Sequence, residues 1–448
     1  MIFIILGFVL IIYSHFDFKK SFMIYLCYKL FLVTNITLIS IPGIPILSLD
    51  VFMTLLYIFI YLINGKKYQC AHYPFPLFAA FSILTISYFL SAVFSVAGFG
   101  SEMSALIKSI SQEILLIWLI WEIVEDEKDF QFIFKGLTII FFISCIYGLV
   151  ECLIQQNPLV QYEATLNRDS SKVISWTYDT ASRGYRIQSI FEHPIGAGIN
   201  WSIYFISTLW LWINQKKYVN IFSIITAILC VPCIILTRMR GPLLFCIIFA
   251  MCLINIKKKK FYGVLVLGVL ILFVFRSLFQ NNINIILSFF DKAAQSSVGG
   301  SSMEMRLSQF DNAFQILAMK PLFGFGQKYQ GYLEASLIHG LYGGESVWLQ
   351  TIVSYGFLGL FAVVFYYFNI LITLPNRFKL KGIGFLALAY IITFSATSVP
   401  GMQIYLFYFF YFFMIKSSSI YYENKMERTS GLYFSSLTKI KVNPRKKR

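Results

Sequence analysis

Apolar residues fall in blocks of roughly 15 to 25 along the chain, about what a helix needs to cross ~30 Å of hydrocarbon. The blocks predict helices over 1–14, 22–41, 48–64, 75–97, 104–124, 130–153, 194–214, 219–237, 241–256, 261–279, 346–370, 383–397 and 401–416. The first and the last two are short for a span, so the expected architecture is an all-α, polytopic membrane helix bundle of 12–13 transmembrane helices. The first block has no basic residue before it and no A-x-A-like site after it, and reads as a retained helix. Two long polar stretches interrupt the pattern, 155–193 and 280–345. Within the second, Met303, Leu307, Phe310, Phe314 and Leu317 share one helical face, while Glu304, Arg306, Gln309, Asp311 and Asn312 exclude a lipid-exposed span. That pattern predicts an amphipathic helix over 303–319 lying along the membrane interface, with Arg306 at the edge of its apolar face. Lys320-Pro321 ends it, and the following LFGFGQ is expected to be a turn with accessible backbone N–H groups. Residues 1–448 read as one integral membrane domain with a basic tail over 417–448.

Composition sharpens the class. Of 448 residues 58% are hydrophobic and only 13% charged, about half the charged fraction of a soluble domain. The net charge of +16 does not point to nucleic acid, because the basic residues sit in short links between apolar blocks. Lys19-Lys20, Lys66-Lys67, Lys216-Lys217, Lys257 to Lys260, Arg377 to Lys381 and the tail form a positive-inside pattern. With those links in the cytoplasm, 41–50, 155–193, 238–240 and 280–345 fall on the outer face. Cys230-x-x-Cys233 has redox spacing, but its surroundings, ITAILCVPCIIL, are lipid-like.

The outer segments nevertheless carry arginines next to apolar sequence. Arginine near hydrocarbon is costly and faces a partner or a cavity, and its planar fork suits phosphate oxygens. The plain alternative is that these side chains reach headgroups or pair with Glu163, Asp179 or Glu192. One cluster is SRGYRIQSIFEHP, with Arg183 and Arg186; a second is LTRMRGPLL, with Arg238 and Arg240 ahead of a helix start whose N–H groups favour an anion. The third is the 303–319 helix with Arg306. After it come His339 and Glu345-Ser346. Glu345 fits a helix cap; its other role would be general base toward a sugar hydroxyl, with His339 as the weaker candidate. No D-x-D or His/Asp cluster suggests a metal, and no cofactor is expected. Lys29, Lys108, Glu113 and Glu151, inside apolar blocks, keep a transporter reading alive.

These residues also carry a resemblance. NAFQILAMKPLFGFG followed by ESVWLQTIVSYGFLG, the turn TRMRGPLL and the segment YRIQSIFEHP resemble the O-antigen ligase/polymerase superfamily over roughly residues 180 to 360. The resemblance implies a glycosyltransferase that moves a glycan from undecaprenyl pyrophosphate on the outer face of the bacterial cytoplasmic membrane. Arg186, Arg240 and Arg306 match its pyrophosphate-contacting arginines, with Arg183 and Arg238 beside them. Where ligases have His-Asn opening the helix after the loop, this chain has Glu345-Ser346, which is closer to polymerases. The expected function is therefore polymerisation of lipid-linked repeat units for O-antigen or capsule, with a flippase and a chain-length regulator as implied partners. The alternatives are a ligase of the same superfamily and a lipid-linked oligosaccharide flippase.

Overall fold

The computed structural model describes residues 2–31, 37–39, 47–64, 74–166, 184–253, 303–328, 346–397, 403–418 and 421. It is an all-α membrane protein. In chain order the helices are α1 (Ile2–Phe16), α2 (Phe18–Tyr28), α3 (Leu49–Asn64), α4 (Phe78–Val93), α5 (Phe99–Ile123), α6 (Glu127–Ile154), α7 (Pro158–Leu166), α8 (Pro194–Asn214), α9 (Ile221–Leu236), α10 (Arg240–Leu253), α11 (Met303–Met319), α12 (Val347–Arg377), α13 (Lys381–Ser395) and α14 (Gln403–Lys416). Of these, α5, α6 and α12 are individually long and apolar enough to cross a bilayer; α1, α3, α4, α9, α10, α13 and α14 are shorter apolar helices.

Several boundaries differ from expectation. The predicted helix over 22–41 stops after Tyr28 and one further turn. Thr37–Ile39 instead pairs antiparallel with Leu47–Ser48, as its β-branched residues favour. The 155–193 stretch is not all loop, since Pro158 starts α7. The helix expected over 261–279 lies outside the described residues.

The bundle has two chemically distinct ends. At the lysine end, Lys217 bonds Glu127 at 2.6 Å, Lys19 meets Asp129 at 2.7 Å, and Lys416 donates to the carbonyls of Trp121 and Val124. The opposite end, called here the loop end, gathers 184–193, the α9–α10 turn, 320–328 and the start of α12. Between them, Lys29 bonds both carboxylate oxygens of buried Asp50 at 2.5 Å, and Gln112 and Tyr25 complete the set. Its charges are thus satisfied within the bundle. Cys145, Cys230 and Cys233 are buried neighbours where α6 meets α9, with Cys145 Sγ 3.6 Å from Cys230 Sγ. They are packing residues.

The amphipathic helix forms over the predicted span, but its packed face is rotated from the expected one. Gln309, Ala313, Ile316 and Leu317 are buried, against Leu349, Ile352 and Val353 of α12, whereas Leu307 and Phe314 are exposed. Leu317 and the half-buried Phe310 of the expected stripe do join the packed face, but beside a bilayer apolar side chains need not be buried, so hydrophobic periodicity marks the stripe only in part.

After α11 the chain wedges into a break in α12. Gly356 has φ 63° and ψ −155°, a conformation almost confined to glycine. Around it Phe325 N–H donates to Val353 O and Gly326 N–H to Ser354 O, both at 3.0 Å; Phe357 N–H donates to Pro321 O at 2.8 Å and Leu358 N–H to Leu322 O at 3.1 Å. Ser91 Oγ on α4 donates to Ser354 O as well, at 2.6 Å. The backbone N–H groups expected to lie open in LFGFGQ are therefore occupied at Gly324, Phe325 and Gly326. Non-helical backbone is tolerated at membrane depth only when protein groups satisfy it.

A Cβ at Gly356 would stand 2.6 Å from Pro321 O, so Gly356→Ala combines a clash with a forbidden backbone. It is expected to cost about 1–3 kcal/mol and to lower the melting temperature in detergent. Gly100→Ala, with nothing within 4 Å of its new Cβ, should melt like the parent. Equal melting of Gly356→Ala and the parent would rule out the interlock.

Candidate functional site

The loop end is assembled around Glu151, near the last turn of α6. Its carboxylate accepts from Ser189 N–H at 2.6 Å, Gln188 N–H at 3.2 Å and the Tyr185 hydroxyl at 2.9 Å. Ser189 is pinned from every side: its hydroxyl donates to Ser144 O at 2.6 Å and its carbonyl accepts from Asn157 Nδ2 at 2.8 Å. These bonds hold a left-handed backbone at a non-glycine residue, φ 54°. The segment that carries Arg186 is thus folded back into the bundle by a buried carboxylate. In sequence terms Glu151 looked like a transport charge; its task is to position a loop.

That segment then meets the α9–α10 turn. Ile187 N–H donates to Leu236 O at 3.4 Å, and Arg186 Nη1 lies 3.9 Å from Met239 Sδ. The Arg238 guanidinium lies over Gly184, where any side chain would run into it. Arg186 is buried, while Arg238 and Arg240 are half-buried. Arg240 opens α10, so a helix N-terminus adds its dipole to the same turn. Guanidinium groups some fifty residues apart in sequence are thereby gathered at one end of the bundle.

His193 caps α8: its Nδ1 accepts from Ile195 N–H at 3.0 Å, which assigns the proton to Nε2. Burial and then the Arg186 charge push its pKa down to about 4, so the imidazole is neutral beside the arginines. Its sequence signal was the Glu192-His193-Pro194 run before an apolar block.

Arg306 lies on a different part of the bundle wall. Its helix α11 packs on α12; Trp348 Nε1 of α12 donates to Ser395 Oγ of α13 at 2.7 Å; and Thr397, just beyond α13, abuts Gly241 in the first turn of α10. The structure joins the segment carrying Arg186 to the turn carrying Arg238 and Arg240, whereas Arg306 sits half-buried on α11, whose packing partner is α12. Arg183, His339 and Glu345 lie outside the described residues, although Ser346, next in sequence to Glu345, is buried and caps α12 by accepting from Trp348 N–H at 3.3 Å. Among the described residues no three His, Cys, Asp or Glu side chains come together as metal ligands.

The family model described as O-antigen ligase (Wzy_C) matches residues 225–364. The matched stretch contains Arg238, Arg240, Arg306, His339 and Glu345; Glu151, Arg186 and His193 precede it. No curated protein matches the chain.

A neutral His193 has a testable sign. In the unfolded chain it takes up a proton below its ordinary 6.5, whereas the folded protein resists until about 4. Stability contributed by the neutral state is full above 6.5 and is lost as pH falls through that window. His193→Asn keeps a capping side chain, and its melting temperature should fall less than the parent's between pH 7 and 4.5. Parallel loss in both proteins would contradict a buried neutral imidazole.

Proposed function

We propose that this chain, a member of the O-antigen ligase/polymerase superfamily, polymerises oligosaccharide repeat units carried on undecaprenyl pyrophosphate at the outer face of the bacterial cytoplasmic membrane. The observation that carries the reading is the joining of 184–193 to the α9–α10 turn, which sets Arg186, Arg238 and Arg240 around one helix N-terminus. Three guanidinium groups and a dipole suit a diphosphate, whose charge grows as it leaves the anomeric carbon, and stabilising developing charge in a partly dry site is often the largest catalytic effect. The loop end faces outward in this reading because the described basic links, Lys19-Lys20, Lys216-Lys217 and Arg377 to Lys381, lie at the lysine end.

In the reaction the growing chain sits on one lipid diphosphate, held by Arg186 and Arg240, with Arg183, Arg238 and Arg306 around it. A hydroxyl at the non-reducing end of the incoming unit attacks the anomeric carbon. Glu345 takes its proton, with His339 as the second candidate base, and the lipid diphosphate departs as the glycosidic bond forms. The buried His193 stays neutral and does not compete for that proton. No metal or cofactor is required by this scheme.

A second reading is favoured by the matched model's own description: a ligase that joins finished polymer to another acceptor. The two differ in what accumulates without the protein. Loss of a polymerase leaves lipid-linked single repeat units, whereas loss of a ligase leaves long lipid-linked chains. In a null strain, Arg240→Ala and Glu345→Gln should leave single units on a gel of lipid-linked products. Arg240→Ala is expected to lower polymer at least a hundredfold, in line with removal of one charge-stabilising donor. Full-length polymer in either variant would remove the mechanism, and accumulated long chains would reassign the protein as a ligase.

A further inference from the structure

A second site lies among the helices, apart from the arginine turn. Between α4, α5, α12 and α13 a cavity of about 90 Å³ is lined by Tyr88, Glu113, Tyr355, Tyr366, Tyr367 and Tyr390. Its mouth is at the loop end, where Gln327 and Val347 line it. One face of the first turns of α12 forms a wall, because Val347, Gln350, Thr351, Ser354 and Tyr355 recur at the spacing that aligns side chains on a helix. The other face, Leu349, Ile352 and Val353, packs on α11.

Both helices that supply the key groups are irregular at those groups. α5 passes through a π-helical segment, Ile110–Leu115, which contains Glu113; such bulges are rare and concentrate at functional sites. α12 breaks at Gly356, the residue after Tyr355. Across the gap the Tyr88 hydroxyl donates to Glu113 Oε2 at 3.1 Å, and the Tyr88 and Tyr355 rings stack with centroids 4.6 Å apart.

The geometry points to a subsite for a neutral, hydroxyl-rich pyranose ring of the glycan, separate from the diphosphate rim. Aromatic faces cover the C–H side of a sugar ring, while the Glu113 carboxyl, the tyrosine hydroxyls and the amides of Gln327 and Gln350 serve its hydroxyls. A hydrocarbon tail would leave these polar groups unserved, and a diphosphate would meet a carboxyl where it needs cations. An organic cation would suit an aromatic cage, but Lys108 already acts on Glu113 electrostatically. The inference rests on the proposed glycan-transfer reading, and names where that reading's sugar is held.

The test uses the full chain in nanodiscs and two probes. One is the free repeat-unit oligosaccharide released by mild acid from the lipid-linked pool of expressing cells; the other is farnesyl diphosphate. Glu113→Leu and Tyr355→Leu should each raise the oligosaccharide dissociation constant about tenfold or more, as expected for loss of a hydrogen bond to a charged group or of an aromatic platform. Glu113→Gln should recover much of the loss. Farnesyl diphosphate should bind all three variants as it binds the parent, which also reports that they are folded. Unchanged oligosaccharide binding in both leucine variants, or its displacement by farnesol or choline, would overturn the subsite. If instead Arg240→Ala cells still make polymer, the glycan-transfer reading fails first, and by a different readout.

Discussion

Hydrocarbon offers no partner to a backbone N–H or carbonyl, and leaving one unpaired there costs several kcal/mol. Every departure from helix in this bundle must therefore be matched by a protein group. The two departures that shape the loop end obey this closely. The 184–193 segment gives its N–H groups to the Glu151 carboxylate and to Leu236 O. The break at Gly356 gives its freed carbonyls to the 320–326 turn and to Ser91. Because those partners sit on α4, α6, α9 and α11–α12, the same bonds that satisfy the backbone also fix which helix ends are neighbours. The arginine turn and the tyrosine cavity both follow from that arrangement.

Much of this was legible where strong local signals stood next to apolar blocks. His193-Pro194 and Lys320-Pro321 bracket α8 and α11, whose observed limits, Pro194–Asn214 and Met303–Met319, agree with the periodicity. The described links, Lys19-Lys20, Lys216-Lys217 and Arg377 to Lys381, likewise fall at one end. Elsewhere a membrane removes the usual signal. Leu307 and Phe314 are exposed and Gln309 is buried on α11, since an apolar residue is content against lipid and a glutamine is not. The strand at Thr37–Ile39 was hidden inside an apolar run that reads equally as helix. That the Phe325 and Gly326 N–H groups of the LFGFGQ turn are occupied could not be read at all, because their acceptors, Val353 O and Ser354 O, lie some thirty residues further on.

The candidate site was legible as residue types and not as an arrangement. Arginines beside apolar sequence are conspicuous because they are costly, so Arg186, Arg238 and Arg240 stand out without a structure. That Glu151 places the first of them, and that His193 lies neutral beside it, depends on tertiary contacts between α6, α8 and the 184–193 segment. Three of the four charges that kept a transporter reading open are used locally: Lys29 is held by Asp50, Glu151 by the backbone, and Glu113 receives Tyr88. The matched O-antigen ligase region accords with the proposed glycan-transfer reading.

The central claim is that guanidinium groups from separate segments act on a single anion. A double-mutant cycle on farnesyl diphosphate binding in nanodiscs, with Arg186→Ala, Arg240→Ala and the pair, measures this directly. Two side chains gripping one diphosphate should be coupled by about 0.5 kcal/mol or more, the pair losing less than the sum of the single losses. Strict additivity, or binding that neither substitution alters, would contradict a shared site.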